Sequence, residues 1–276
     1  MNKKISYLEA IALNFKEHKE NYNQVLKLSV SDLKKTYKGS ALGWAWAVIK
    51  PVFTIFVYWF AVSIGLRGGK STGDYPYILW LISGMVPWFF MSESITGGTT
   101  CITKYSYLVT KMKYPITTIP TFTNLSNLYV HLILVVASVI IFALAGFMPS
   151  VYLLQLPLYT LLMFMFFNAW GLFAGMVSAI GKDFSNLIKS MNIAFFWLSG
   201  IAWDIANVSD NKILSIFFKI NPITFICYGY RNSFVYHKWF FEDVTELLIF
   251  LGWYVILAFL SIWAYRNLRK EIPDVL

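Results

Sequence analysis

Lys34-Lys-Thr-Tyr-Lys-Gly-Ser-Ala-Leu-Gly-Trp-Ala-Trp-Ala-Val-Ile-Lys50-Pro51 carries a lysine-bearing segment through a glycine- and tryptophan-rich elbow into an apolar run. Upstream, Tyr22, Leu26, Val30, Leu33 and Tyr37 recur at helical spacing. At about 100° per residue they share an arc of roughly 80°, with Lys27, Lys34, Lys35 and Lys38 on the far side. Residues 20–38 are therefore expected to form an amphipathic helix lying along a membrane surface, lysines toward anionic head groups.

The composition supports a membrane setting. Of 276 residues, 58% are hydrophobic and 13% charged, against about 25% charged in soluble domains. Apolar runs near 51–66, 76–97, 119–146, 151–180, 187–203 and 244–265 predict an all-α integral membrane protein with six transmembrane helices. Six spans put both termini on one side. That side then holds 17 of the 23 lysines and arginines, so the positive-inside rule makes it the cytoplasm. The net charge of +9 is thus a topology signal, and no nucleic-acid partner is expected. No apolar stretch of a cleavable signal peptide is expected in the polar first forty residues. Cys101 and Cys227 would lie on opposite sides of the membrane, which argues against a disulfide.

Between the fifth and sixth spans, residues 204–243 hold two short apolar stretches, Ile213–Ile220 and Ile223–Tyr236, split by Asn221-Pro222. Each is too short to cross, so re-entrant segments are expected on the external side. Residues 103–115, lysines mixed with aromatics and closed by Pro115, read as a cytoplasmic helix able to dock a soluble partner.

No catalytic or metal-binding constellation emerges. His18, His131 and His237 scatter over three compartments, and His131 suits a helix–helix hydrogen bond. Glu93 stands within an apolar run and must face the bundle interior, a partner or water. Gly68-Gly-Lys-Ser-Thr72 lacks the earlier glycine of a nucleotide loop, Ile64 standing there, and reads as an external turn. A secondary transporter would show internal repeats and several intramembrane charges. A membrane enzyme would show acids and histidines clustered on one side. Neither pattern is present in the sequence.

With these residues laid out, the chain resembles the permease subunit of ABC-2 type polysaccharide exporters over nearly its whole length. The resemblance rests on Tyr37 to Pro51, Lys111-Met-Lys-Tyr-Pro115, Lys182-Asp183, Asn221-Pro222 and Tyr230-Arg231. Ser199-Gly200 departs from the family's Ser-Pro. Residues 58–67 and 111–121 look most like wall teichoic acid translocation permeases, with O-antigen permeases as the near alternative and a small-lipid or drug exporter of the same architecture as a rival.

The resemblance implies a single transmembrane domain over 1–276 and a homodimer in the plasma membrane, joined by two copies of a separate ABC ATPase that binds ATP and magnesium. This chain itself would bind no cofactor and catalyse nothing. The cargo would be a polyprenyl-diphosphate-linked polymer. ATPase coupling would fall to Lys34, Lys35, Lys104, Tyr105, Leu108, Lys111, Lys113 and Tyr114. Sugars slide on aromatic surfaces, which nominates Phe53, Phe56, Trp59, Phe60, Phe195, Phe196 and Trp197 for the pathway, with Arg231 as a basic contact.

Overall fold

The computed structural model describes residues 5–65, 75–208 and 210–276, and its regular elements there are all helices. The expected turn at Gly68–Thr72 lies outside the described residues. Helix α1 (Tyr7–Glu20) opens on a capping box, Ser6 Oγ accepting from the Glu9 amide at 3.1 Å while Glu9 accepts from the Ser6 amide at 2.7 Å. Helix α2 (Tyr22–Tyr37) follows, and a single 3₁₀ turn at Gly43–Ala45 winds straight into α3 (Trp46–Phe60). The elbow is therefore part of the first span, which runs over Gly43–Gly65 rather than starting at Pro51.

Three more long helices follow: α4 (Tyr77–Lys104), α6 (Thr118–Leu144) and α7 (Leu156–Ile180), with the short α5 (Ser106–Thr110) between α4 and α6. After α8 (Lys182–Trp197) come α9 (Lys212–Ile220), α10 (Pro222–Arg231), the long α11 (Val244–Leu268) and a last turn, α12 (Ile272–Val275). Among the described residues five stretches are long and apolar enough to cross a membrane, 43–65, 77–104, 118–144, 151–180 and 244–268, and the bent pair 212–236 would make a sixth if it were one broken span. Both termini lie at one end of the bundle, the terminal end. There Arg266 Nε donates to the Ile5 carbonyl at 2.6 Å and the Tyr265 hydroxyl to Glu17 at 2.7 Å.

The fifth expected span, 187–203, is where sequence and structure diverge. Helix α8 has 16 residues, about 24 Å at 1.5 Å per residue and short of a 30 Å hydrocarbon core. It runs antiparallel to α4, with Ser185 against Thr99 at 3.0 Å and Asn192 donating to Ser92 at 2.8 Å. The chain then continues unwound until the Ala202 carbonyl meets the Tyr77 hydroxyl at 2.5 Å, at the first residue of α4. A short helix plus an unwound tail thus covers the depth that one helix was expected to cover.

Helices α9 and α10 meet at 85° across Asn221, whose side chain caps α10 by accepting from the Ile223 amide at 2.9 Å. The tip dips inward, the Ile220 carbonyl accepting from Trp253 Nε1 at 2.8 Å, part-way down α11. The far leg returns to the distal end, where Tyr236 accepts from Trp80 Nε1 at 2.8 Å near the start of α4. The pair is a hairpin bent at Asn221, its tip beside α11 and its far leg at the distal end.

Non-helical backbone survives inside a membrane only where other protein groups satisfy it. Helix α8 ends at Trp197, and three residues on Gly200, at φ +63°, turns the chain in the left-handed region, where a Cβ would lie 2.4 Å from Ile205 Cγ2. Six consecutive carbonyls from the last residue of α8 onward each take a side-chain donor. Trp203 Nε1 reaches Trp197 at 2.9 Å, Asn221 reaches Leu198 at 3.3 Å and Thr224 reaches Ser199 at 3.2 Å. Arg231 serves Gly200 at 2.7 Å and Ile201 at 2.5 Å, and Tyr77 serves Ala202. The guanidinium lies 3.5 Å over the Trp80 ring, in space that only a glycine at 84 leaves open, since a Cβ there would sit 2.5 Å from Arg231 Nη2. Elsewhere small residues let α4 and α7 touch, a Cβ on Gly175 falling 3.0 Å from the Gly98 carbonyl. His131 ties α6 to α10 through the Tyr230 hydroxyl at 2.7 Å, the helix–helix bond its position predicts.

Replacing Arg231 with leucine leaves two enclosed carbonyls unpaired, a loss of roughly 2–6 kcal/mol at about 1–3 kcal/mol each. Tyr77→Phe leaves one. Thermal unfolding in detergent is expected to show a markedly larger drop for Arg231→Leu than for Tyr77→Phe. Arg231→Lys should not restore it, because an ammonium lacks the planar fork.

Candidate functional site

Helix α4 is buried along most of its length, yet one stripe opens outward. Glu93, Thr103 and Lys104 are exposed, with Ser92, Thr96, Gly97 and Thr100 half-buried between them. Nearly every side chain on this stripe is polar. It runs between α3 and α8, because Glu93 meets Lys50 of α3 at 3.2 Å while Ser92 accepts from Asn192 of α8. Asn186, Lys189 and Ser190 of α8 are also exposed. Charge at membrane depth is costly against lipid, so such a surface belongs against water, cargo or protein.

Helix α3 supplies the other wall. Trp46, Lys50, Phe53, Val57 and Phe60 are all exposed and fall within about 80° of arc. Phe56 packs at 6.0 Å from Trp59 and 6.3 Å from Phe60. Tyr58 joins α3 to α8, its ring tilted against that of Phe196 at 4.6 Å. The result is a polar groove on α4 with a lysine at its rim, flanked by an exposed aromatic face of α3 that turns away from the buried Ala47 and Pro51.

The aromatic residues expected on the pathway divide accordingly. Phe53, Phe56, Phe60 and Trp197 are exposed, and Trp59 is half-buried. Phe195 instead lines an apolar cavity of about 620 Å³ between α7, α8 and α11, together with Trp170 and Trp253. Phe196 is enclosed between Tyr58 and Trp88, 5.6 Å from the latter. Arg231 has no exposed surface at all. Its guanidinium is committed to two carbonyls, so its place in this subunit is structural and it offers cargo no face. The expectation that it lines a pathway is corrected on that ground.

At the terminal end, Asp32 is the organising group. Buried on α2, it accepts from Lys104 Nζ at 2.9 Å and from the Tyr105 hydroxyl. Burial first, and then this hydrogen bond to Asp32, hold the Tyr105 phenol well above its ordinary range. Ser29 adds a bond to Tyr129 of α6 at 3.1 Å. Helix α2 therefore has three faces: Val25, Ser29, Asp32 and Leu33 against the bundle, Tyr22 and Val30 exposed, and the lysines opposite. At its end Tyr37 lies close to the groove, its phenol raised by burial and secondarily by the charge of Glu93.

The expected coupling residues also separate into two kinds. Lys34, Lys35, Lys111 and Lys113 are exposed, whereas Tyr105, Leu108 and Tyr114 are buried beneath them. Lys113 borders a cleft of about 480 Å³ with Glu17, Tyr265 and Arg269. Among the described residues no three His, Cys, Asp or Glu side chains come together in a metal-binding group.

This arrangement can be set beside known proteins. Residues 23–235 match the family described as ABC-2 type transporter. The chain belongs to that family. The matched region of this ABC-2 chain starts in α2 and ends with the hairpin, so it contains the Asp32 contact, the groove and the carbonyl cluster. Among its relatives is the O-antigen export system permease protein RfbA of Myxococcus xanthus, 21% identical over 251 residues, covering 91% of this chain and 94% of the relative. A second, the protein of the same description from Klebsiella pneumoniae, is 20% identical over 257 residues and covers 92% and 95%.

Sequence reasoning missed Asp32, an acid on a helix whose lysines dominated the reading. Its buried position beside Val25 and Ser29 at i−7 and i−3 was the available signal. Asp32→Ala is expected to lower stability by about 2 kcal/mol, since it strands the buried Tyr105 hydroxyl. Lys104→Met should have a smaller effect, its side chain being 54% exposed. A phenol raised in the folded state stabilises below its unfolded pKa of about 10, so this contribution should fade as pH rises beyond it. Thermal midpoints of the variants across alkaline pH check all three.

Proposed function

We propose that this chain is the membrane-spanning subunit of an ATP-driven exporter that moves a lipid-linked polysaccharide of O-antigen type out of the cytoplasm. The observation that carries this reading is the exposed polar groove of α4 between α3 and α8, with its hydroxyls and ion pair, next to the exposed Phe53, Phe56 and Phe60 of α3. A sugar polymer needs both features: hydrogen-bonding groups for its hydroxyls and flat aromatic faces for its rings. An apolar drug would need only the second. The relatives over nine-tenths of the chain are named for O-antigen export, which favours that cargo over the teichoic acid suggested by residues 58–67 and 111–121.

In this reading the excess of lysine and arginine makes the terminal end cytoplasmic and the re-entrant hairpin external. Helix α2 lies at the interface, with Tyr22 and Val30 toward lipid. ATP and magnesium bind a separate ATPase, two copies of which serve two copies of this chain. The exposed Lys111 and Lys113 touch that ATPase, and the buried Tyr105, Leu108 and Tyr114 hold the segment in place. Movement there reaches the groove through Lys104 and Asp32, which tie the end of α4 to α2.

Depletion of the protein in its host should cause a lipid-linked polymer to accumulate on the cytoplasmic side. Sugar analysis of that material decides the cargo: hexose repeats support the proposal, while polyol phosphates would return it to teichoic acid. Lys111→Glu combined with Lys113→Glu is expected to reduce recovery of the ATPase with tagged protein several-fold. Equal recovery from wild type and double mutant would remove this segment from the coupling contact.

A further inference from the structure

The ion pair in the groove is built unlike one that serves packing. Lys50 and Glu93 sit 3.2 Å apart on two membrane-spanning helices, yet their side chains are 73% and 60% exposed. Glu93 lies eleven residues from Lys104, roughly 16 Å along α4 at 1.5 Å per residue, well within the span. A pair this exposed is screened by water and contributes little to stability. This one is open on the side where the groove is open. Among the described residues the Lys50 ammonium makes one hydrogen bond, to Glu93 Oε1, although it carries three donors. On α3 it shares its face with Trp46, Phe53, Val57 and Phe60, so the cation stands at the terminal foot of the aromatic column.

We infer that Lys50 is the binding group for the diphosphate of a lipid-linked cargo, and that Glu93 is its resting counter-ion, displaced when the diphosphate arrives. This rests on the lipid-linked polymer reading above. A diphosphate ester offers more charge and more acceptor oxygens than one carboxylate, so it competes successfully for the ammonium. While the groove is empty, Glu93 neutralises a lysine that would otherwise stand uncompensated at membrane depth. It also raises the threshold for binding, so that a free anion with no chain to bury gains too little to displace it. The aromatic column beyond Lys50 then receives the first sugars.

The two residues therefore act with opposite signs, which a purely structural ion pair cannot do. The test uses the full chain with its partner subunits retained, in nanodiscs of constant lipid composition. Binding is measured for polyprenyl diphosphate, the polyprenyl alcohol of equal length and inorganic pyrophosphate. Wild type is expected to prefer the diphosphate over the alcohol by about tenfold, the scale of one charge-assisted contact, and to ignore pyrophosphate. Lys50→Gln should abolish that preference, Lys50→Arg should keep it, and Glu93→Gln should tighten diphosphate binding several-fold.

Retention of the preference in Lys50→Gln overturns the inference alone, as does equal weakening by Lys50→Gln and Glu93→Gln. Pyrophosphate binding as tight as that of the lipid diphosphate overturns the guarding role of Glu93. No preference in wild type overturns the inference. Polymer accumulation on depletion then shows separately whether the cargo reading falls with it.

Discussion

Unwound backbone inside a membrane must find its hydrogen bonds within the protein, and the distal half of this molecule is organised around that requirement. From Trp197 to Ala202, six carbonyls without helical partners take donors from an indole, an amide, a hydroxyl, a guanidinium and a phenol. Those donors come from α4, α10 and the loop between. Each is held by its own packing: Trp80 under the Arg231 guanidinium, Gly84 leaving it room, Asn221 also capping α10. Much of what shapes the hairpin follows from the early end of α8.

Helix α4 links this region to the rest. Its distal part meets the unwound segment through Tyr77 and the hairpin through Trp80, and its middle packs against α7 at Gly98. Its terminal part holds α2 through Lys104 and Tyr105. Only along one stripe does it face outward, and there it is polar. A central helix that is buried on most sides and polar on the last combines support with the making of a groove. Helix α3, in contrast, is largely exposed, and besides Ile55 and Trp59 on the core it meets its neighbours through the Tyr58–Phe196 contact and the Lys50–Glu93 pair.

The sequence made the helical membrane architecture, the Asn221 break and the elbow legible because each is written in local hydropathy and spacing. The role of Arg231 was not. A lone arginine in an apolar segment looks alike whether it waits for a ligand or serves a carbonyl, and the carbonyls in question lie 30 and 31 residues away. Ser199-Gly200 did signal a departure, and Gly200 turns the chain at positive φ just after the end of α8. Among the aromatics, Phe196 and Trp197 are neighbours in sequence yet one is enclosed and the other open, a distinction set by which face of α8 meets Tyr58 and Trp88. Glu93 was recognisable as anomalous, but its partner Lys50, 43 residues earlier, was not paired with it until the helices were placed.

The side-chain donors to the α8 tail also impose an order on assembly. Asn221, Thr224 and Arg231 come 23 to 31 residues after the carbonyls they satisfy. A ribosome finishes α8 before any of these donors exists, so during synthesis the tail must stay in contact with water or the insertion machinery. The fifth crossing can therefore settle only after the hairpin has been made and folded back. In this bundle, the shape of an earlier segment is decided by residues that the ribosome has yet to add.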